Sequence, residues 1–363
     1  MKIGCIGGGI AALYFGIACK RLDPAHEIDI FERDEADRNS GWGIILKDPM
    51  LDAMRKMDEP SHAAVMASCV SWNEIDIHVG GKQGSLPRQF GRSIGRHAFV
   101  QLLRQRAHEL GVVLHYANET SPAALAAEQY DLLLGADGIK SQCRELAQAG
   151  SIQSIAVESS NNRFVWLGCN AAFRNMVFDF RHTPHGMIWV HAYPFSHDKS
   201  TFVVECEPAT FAGLGFGQQP VSQDVAILKT IFSDLLGTAD LLWLDDNRWQ
   251  WRQFEQISAS SLHHDTLALV GDAAHTAHFS IGSGTRLAVE GAIALAHCLQ
   301  QHDSVAVALQ HYARQRHAPV QAIQAQALNS MRWFDRIAGH CQHSFDQTGF
   351  DQFLRAFMLR SAG

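Results

Sequence analysis

The stretch Lys2-Ile3-Gly4-Cys5-Ile6-Gly7-Gly8-Gly9-Ile10-Ala11-Ala12 decides the fold class of this chain. Its first residues form a short apolar run that suits a buried strand, three glycines make a turn, and a helix follows from Ile10 to about Leu22. Glu27 to Phe31 alternates apolar and polar residues as a second strand and ends at Glu32. This is a βαβ opening. In Gly7-x-Gly9-x-x-Ala12 the first glycine permits the tight turn and the second lets the backbone approach a pyrophosphate. The small third residue lets helix pack closely on strand. Glu32 stands where a carboxylate accepts ribose hydroxyls, and Arg33 beside it belongs to the same expected site. The pattern predicts a dinucleotide; Glu32 alone does not separate NAD from FAD.

A second glycine-containing stretch resolves that choice. Leu267-Ala268-Leu269-Val270 is an apolar run that leads into Gly271-Asp272-Ala273-Ala274-His275, and Gly282-Ser283-Gly284-Thr285 opens a later helix. Asp272 at a strand end can bind a ribityl or ribose hydroxyl, and amides at a helix start can face a phosphate or an electron-rich ring oxygen. Two such sites point to one long ligand held at both ends, FAD. Between them, Gly135-Ala136-Asp137-Gly138 follows the apolar strand Tyr130 to Leu134, with Ser141 and Arg144 beyond. Alone, this Asp-Gly pair would read as an ordinary turn.

The remaining pattern is an interleaved α/β plan. Residues 1–70, 95–150 and 259–303 are expected to form a Rossmann-like FAD-binding domain. Residues 71–94 and 151–258 are expected to form a substrate domain built on a mostly antiparallel sheet, and residues 304–363 C-terminal helices. Short strands are predicted within 70–94, a helix from His97 to Leu110, successive strands from Arg163 to Glu207, and a strand from Trp249 to Ile257.

At 363 residues, 47% hydrophobic and 18% charged, the composition is that of a folded globular protein. A net charge of -7 argues against nucleic acid or an anionic membrane as the main partner. Eight scattered cysteines without a CxxC pair suit reduced thiols and a cytoplasmic location. The twenty histidines form no H-E-x-x-H or Cys/His cluster, so no metal is expected.

The three motifs, in this order, resemble the class A flavoprotein aromatic hydroxylases. Gly41-Trp42-Gly43, Ile94-Gly95-Arg96, Asn162 to Gly168, His191-Ala192-Tyr193, Ser200 to Glu205 and Ala277 to Gly282 are similar to the branch that contains the salicylyl-CoA and anthraniloyl-CoA 5-hydroxylases and the violacein-pathway hydroxylase. The resemblance implies an FAD-dependent oxidoreductase that consumes O2 and NADPH or NADH, the latter bound transiently. It would hydroxylate an electron-rich aromatic ring through a flavin C4a-hydroperoxide. The implied substrate is an aryl-CoA thioester; an indolic or other aromatic intermediate of secondary metabolism is the alternative, and a flavin-binding protein without oxygenase activity the reading from another class. A homodimer is compatible with this.

Carried onto these residues, Gly7, Gly9 and Ala12 hold the pyrophosphate and Glu32 the adenosine ribose. Arg96 contacts FAD, Asp137 handles FAD and NADPH, Asp272 meets the ribityl chain, and Gly282, Ser283, Gly284 and Thr285 lie against the isoalloxazine. Trp42 is a candidate to line the ring. Phe279-Ser280 and Arg286 replace the proline and asparagine common in relatives outside this branch. For the substrate face, His191 and Tyr193 alternate on one strand and point the same way; they and His278 are the candidate catalytic groups, with a packing role as the alternative. A CoA tail would need cations near the pocket mouth, for which Arg88, Arg92, Arg163 and Arg174 are available.

Overall fold

The computed structural model describes residues 1–38, 41–126, 128–149, 155–245, 249–342 and 346–360. Five strands form a parallel sheet in the spatial order Leu267–Leu269, Leu132–Gly135, Lys2–Ile6, Glu27–Phe31, Val113–His115, with His263–His264 added antiparallel at one edge. Numbered along the chain, the five run 5-4-1-2-3, the doubly wound order in which a ligand crevice opens at the carboxyl ends where the winding reverses. Gly7, Glu32, Asp137 and Asp272 all follow the carboxyl ends of these strands. The last strand arrives from more than a hundred residues away. It is drawn in because Leu267, Ala268 and Leu269 are all buried and complete the apolar sheet.

The helix Ile10–Leu22 is buried from Ile10 to Cys19 and packs between this sheet and the helix Gly284–Gln301. Small residues set that approach: a methyl at Gly271, which has φ +60°, would lie 3.0 Å from the Ala11 Cβ.

The second sheet has eight strands in the order Leu241–Leu242, Arg163–Cys169, Ser200–Cys206, Gly186–Pro194, Met176–Thr183, Val70–Val79, Lys82–Gly95, Gly43–Leu46. All neighbours are antiparallel except Met176–Thr183 with Val70–Val79. The short strands expected within 70–94 are two long ones, turned at Gly80-Gly81, where both residues take positive φ, and bulged at Trp72/Glu74. After Glu27–Phe31 the chain forms the edge strand Gly43–Leu46, the helix Asp48–Met57 and a further helix, Glu59–Ser68. The strand read over Trp249–Ile257 is Glu255–Ala259, paired with Ile155–Ser159.

Both faces of the larger sheet are covered. Ile188, Val190, Phe202 and Val204 pack under the helices of residues 208–236. Phe178, Phe180 and Trp189 pack against Trp333 and Phe334 of the helix Val305–Phe334 and Phe353 and Phe357 of the helix Gln347–Leu359. That second, aromatic face looks toward the glycine loop at 282–284. No helix among the described residues is long and apolar enough to cross a membrane.

Candidate active site

The first glycine of the turn is fixed by geometry. Gly7 has φ +96°, donates its N–H to the Phe31 carbonyl at 2.8 Å, and leaves only 2.5 Å between a would-be Cβ and the Ala136 oxygen. At Gly9 a Cβ would meet nothing within 4 Å. The helix it caps has no side-chain cap and no acidic residue in its first turn, so its free N–H groups face open space. Ala12 is buried one turn further on. Glu32 accepts from the Gly8 N–H at 2.8 Å and the Asp34 N–H at 2.9 Å, one through each oxygen, which fixes the carboxylate and leaves lone pairs for a ribose. Gly7, Gly9, Glu32, Arg33, Arg96 and Asp137 line one cleft of about 300 Å³.

Asp137 is a structural organiser as well as a wall. It accepts from the Ser141 hydroxyl at 2.5 Å and the Cys143 N–H at 3.1 Å, so it holds the entry to the helix Gln142–Ala149. Arg144 on that helix donates to the Ala273 carbonyl at 2.9 Å and to Asp272's at 3.3 Å. The second motif therefore clasps the third across 128 residues of sequence.

Asp272 follows the strand Leu267–Leu269, its side chain is exposed, and neighbouring protein still desolvates it in part. Desolvation raises its pKa, opposed by Arg96 and Arg144, and its exposure to water weakens that upward pull. Arg96 opens the helix Arg96–Glu109, and its N–H binds the Trp42 carbonyl at 2.6 Å. Trp42 lies over Gly168, where a Cβ would come 2.4 Å from its ring, and it lines an adjoining cavity of about 620 Å³ that shares Arg33 and Asp34 with the first cleft. Gly282 takes φ +60° and faces Ile45, and Gly284 has open space before it. Open positions at Gly9 and Gly284, an accessible acid at Asp272 and an uncapped helix start fit an extended dinucleotide such as FAD.

A third cavity, of about 390 Å³, lies beside this loop. Ser280 and Ser283 form one wall and the apolar sheet residues Ile75, Leu86 and Met176 another. None of the three expected substrate-face groups lines it. Tyr193 spends its hydroxyl on the Gly43 carbonyl at 2.8 Å and rests its ring near Trp72. His191 is buried among Phe178, Phe279 and Phe334, and its Nε2 meets the Trp189 indole N–H at 3.1 Å and Glu205 Oε2 at 3.2 Å. His278 stacks on Phe279, and its Nδ1 is 2.8 Å from the Ser280 hydroxyl. Ser280 Oγ also bonds Ser330 Oγ at 2.7 Å. Ser280 thus joins the cavity to the imidazole behind it.

Burial governs the charges in this cluster. His278 is pushed down to about 4 by desolvation, with Glu205 opposing, and His191 is held well below its ordinary value by burial and Arg360. Glu205 is pushed up to about 7 by burial, against hydrogen bonds from Asn162 and Trp189. Below about pH 7 the pair His191–Glu205 is accordingly neutral rather than ionic. Sequence reading passed over Glu205, Ser280, Arg360 and Lys47. The signal for Ser280 was its place where many relatives carry proline.

Residues 91–327 match the family described as FAD binding domain. The chain is 33% identical to the salicyloyl-CoA 5-hydroxylase of a Streptomyces species, over 99% of this chain and 70% of that protein. It belongs to the FAD-dependent monooxygenases. This monooxygenase is also 28% identical to the protodeoxyviolaceinate monooxygenase of Chromobacterium violaceum, over 93% of the chain and 90% of the relative. The crystal structure of 2-methyl-3-hydroxypyridine-5-carboxylic acid oxygenase shares its fold, with a TM-score of 0.75 at 19% identity and coverage of 97% and 96% of the two chains.

Proposed function

We propose that this monooxygenase hydroxylates an electron-rich ring carried on an acyl thioester of the salicyloyl- or anthraniloyl-CoA type, with NAD(P)H as reductant. The observation that carries the reading is the 390 Å³ cavity, which pairs an apolar sheet wall with hydroxyl groups of the loop beside the expected flavin ring. Bound FAD supplies the reducible ring that takes hydride from NAD(P)H and activates dioxygen.

The protein's own part is to bind, orient and hold a proton. Gly7, Gly9 and Glu32 would hold the adenosine diphosphate end, Arg96 and Asp272 the ribityl region, and the amides of Gly282 to Thr285 the ring edge. Ile75, Leu86 and Met176 exclude water and press the substrate ring against the loop. The Ser280 hydroxyl accepts a hydrogen bond from the phenol or amine of the substrate and donates its own proton toward His278 Nδ1. His278 stays neutral at pH 7, because burial holds it near 4, and so it can accept. His278, His191 and Glu205 then act behind the cavity wall, as positioning groups.

Mass spectrometry of products tests this. The FAD-loaded protein is given NADPH or NADH, oxygen, and salicyloyl-CoA, anthraniloyl-CoA, their free acids or indolic acids. One oxygen gained by a thioester and not by its free acid is the expected result. Oxygen gained only by an indolic or free acid overturns the thioester reading.

A further inference from the structure

The charge lining the 390 Å³ cavity is one-sided. Lys47, Arg286 and Arg360 converge on it, and no carboxylate lines it among the described residues. In a chain of net charge -7 that concentration needs a cause. Arg286 is neutralised by Glu290 at 2.6 Å, which also meets Arg316 at 3.5 Å. Lys47 and Arg360 form no salt bridge among the described residues, and the Asp48 carboxylate that opposes the lowering of Lys47 is itself paired with Arg92. Arg360 is half-buried: it lies 3.8 Å from the Phe357 ring centroid and 5.4 Å from that of Phe178, and donates to the Phe357 carbonyl at 2.7 Å. Its Nε is buried with no acceptor. Burial pulls Arg360 down to about 10, and Lys47 is lowered by burial and then by Arg360 and Arg286. Two partly desolvated cations close enough to repel each other are costly unless an anion joins them.

Aromatic faces stabilise Arg360 in part, but they leave its unpaired edge unsatisfied. The missing anion must enter from the cavity, and Ser280 and Ser283 place that cavity next to the reaction. Three of the arginines expected to do this do not line the cavity. Arg92 pairs with Asp48, Arg163 lies over Phe211, Arg174 is exposed and absent from the cavity wall, and the side chain of Arg88 lies outside the described residues.

We propose that Lys47 and Arg360, with Arg286 at the rim, form a subsite for an anionic group carried by the aromatic substrate. The group is a carboxylate or a phosphate: an aryl-CoA brings phosphates on its tail, and an aromatic acid brings the carboxylate itself. The inference rests on the aromatic-substrate reading above and adds what holds the substrate's charge. It also assigns the C-terminal helix Gln347–Leu359, which delivers Arg360, to substrate recognition rather than packing alone.

Binding without turnover tests it. The FAD-loaded protein, without NAD(P)H, is titrated with salicylate, salicyloyl-CoA and the neutral salicylamide, and Kd is read from perturbation of the flavin absorbance. Arg360→Gln and Lys47→Gln should each raise Kd for an anionic probe by about ten-fold or more, and salicylamide should move by less than about two-fold. Arg360→Lys, which keeps the charge, should recover most of the loss. A loss confined to the thioester assigns the subsite to tail phosphates, and a loss with salicylate assigns it to the carboxylate. Equal weakening of all three probes, no weakening of any, or a wild type that binds none of them overturns the subsite. A wild type that binds anions through Arg360 yet oxygenates no aryl thioester keeps the subsite and sinks the thioester reading.

Discussion

Glu205→Gln should make this protein more stable at alkaline pH and leave it little changed at acid pH. Glu205 is 1% exposed, between the Asn162 amide at 3.0 Å, the Trp189 indole at 3.2 Å and His191. Burial pushes its carboxyl up to about 7 in the fold, from an ordinary value of 4.5. Between those values the folded state holds the proton that the unfolded chain has released. Stability therefore falls as pH rises through the interval, at ~1.4 kcal/mol per pH unit and on the order of 3 kcal/mol in all. Glutamine cannot ionise and keeps the size, so the variant lacks that slope.

A chain of 363 residues unfolds with an entropy of roughly 0.8 kcal/mol/K, which turns 3 kcal/mol into about 4 °C. Thermal melts of both proteins from pH 4.5 to 8 measure it. Other titrating groups act equally in the two, so the difference between the curves isolates Glu205. The gap should widen by about 4 °C across the range. Parallel curves would refute a buried, proton-holding Glu205.

Gly7→Ala and Gly9→Ala should fail differently. The first forces a Cβ to 2.5 Å from the Ala136 oxygen at φ +96° and should destabilise the fold by about 1–3 kcal/mol or more. The second has room, so the melting temperature without FAD should hold while FAD affinity, read by flavin fluorescence, drops about ten-fold. Tyr193→Phe removes a bond to the Gly43 carbonyl, with Thr201 Oγ1 still at 3.3 Å; a melt should show a loss of ~1 kcal/mol, and kcat should stay within about three-fold. Ser280→Ala cuts the link between cavity and His278 and should lower kcat by about a hundred-fold, while Kd for salicylamide, which loses one hydrogen bond, rises by no more than about ten-fold.

Local chemistry made much of this protein legible in its sequence. Gly7, Glu32 and Asp272 announce themselves because a positive φ, a close backbone approach and a strand-end acid each demand one residue type within a short window. The doubly wound sheet followed from the same windows, since period and turn chemistry act over a few residues. Only tertiary structure decided the substrate side. Ser200-Thr201-Phe202-Val203-Val204-Glu205-Cys206 lies in the run read only as successive strands, and all seven residues are buried because helices cover both faces of the sheet. That cover turns Glu205 into a group that keeps its proton to about pH 7. The same packing brings Lys47, Ser280 and Arg360, from three distant segments, around one cavity. Their meaning comes from shared desolvation, a property of the space they enclose and not of any stretch of chain.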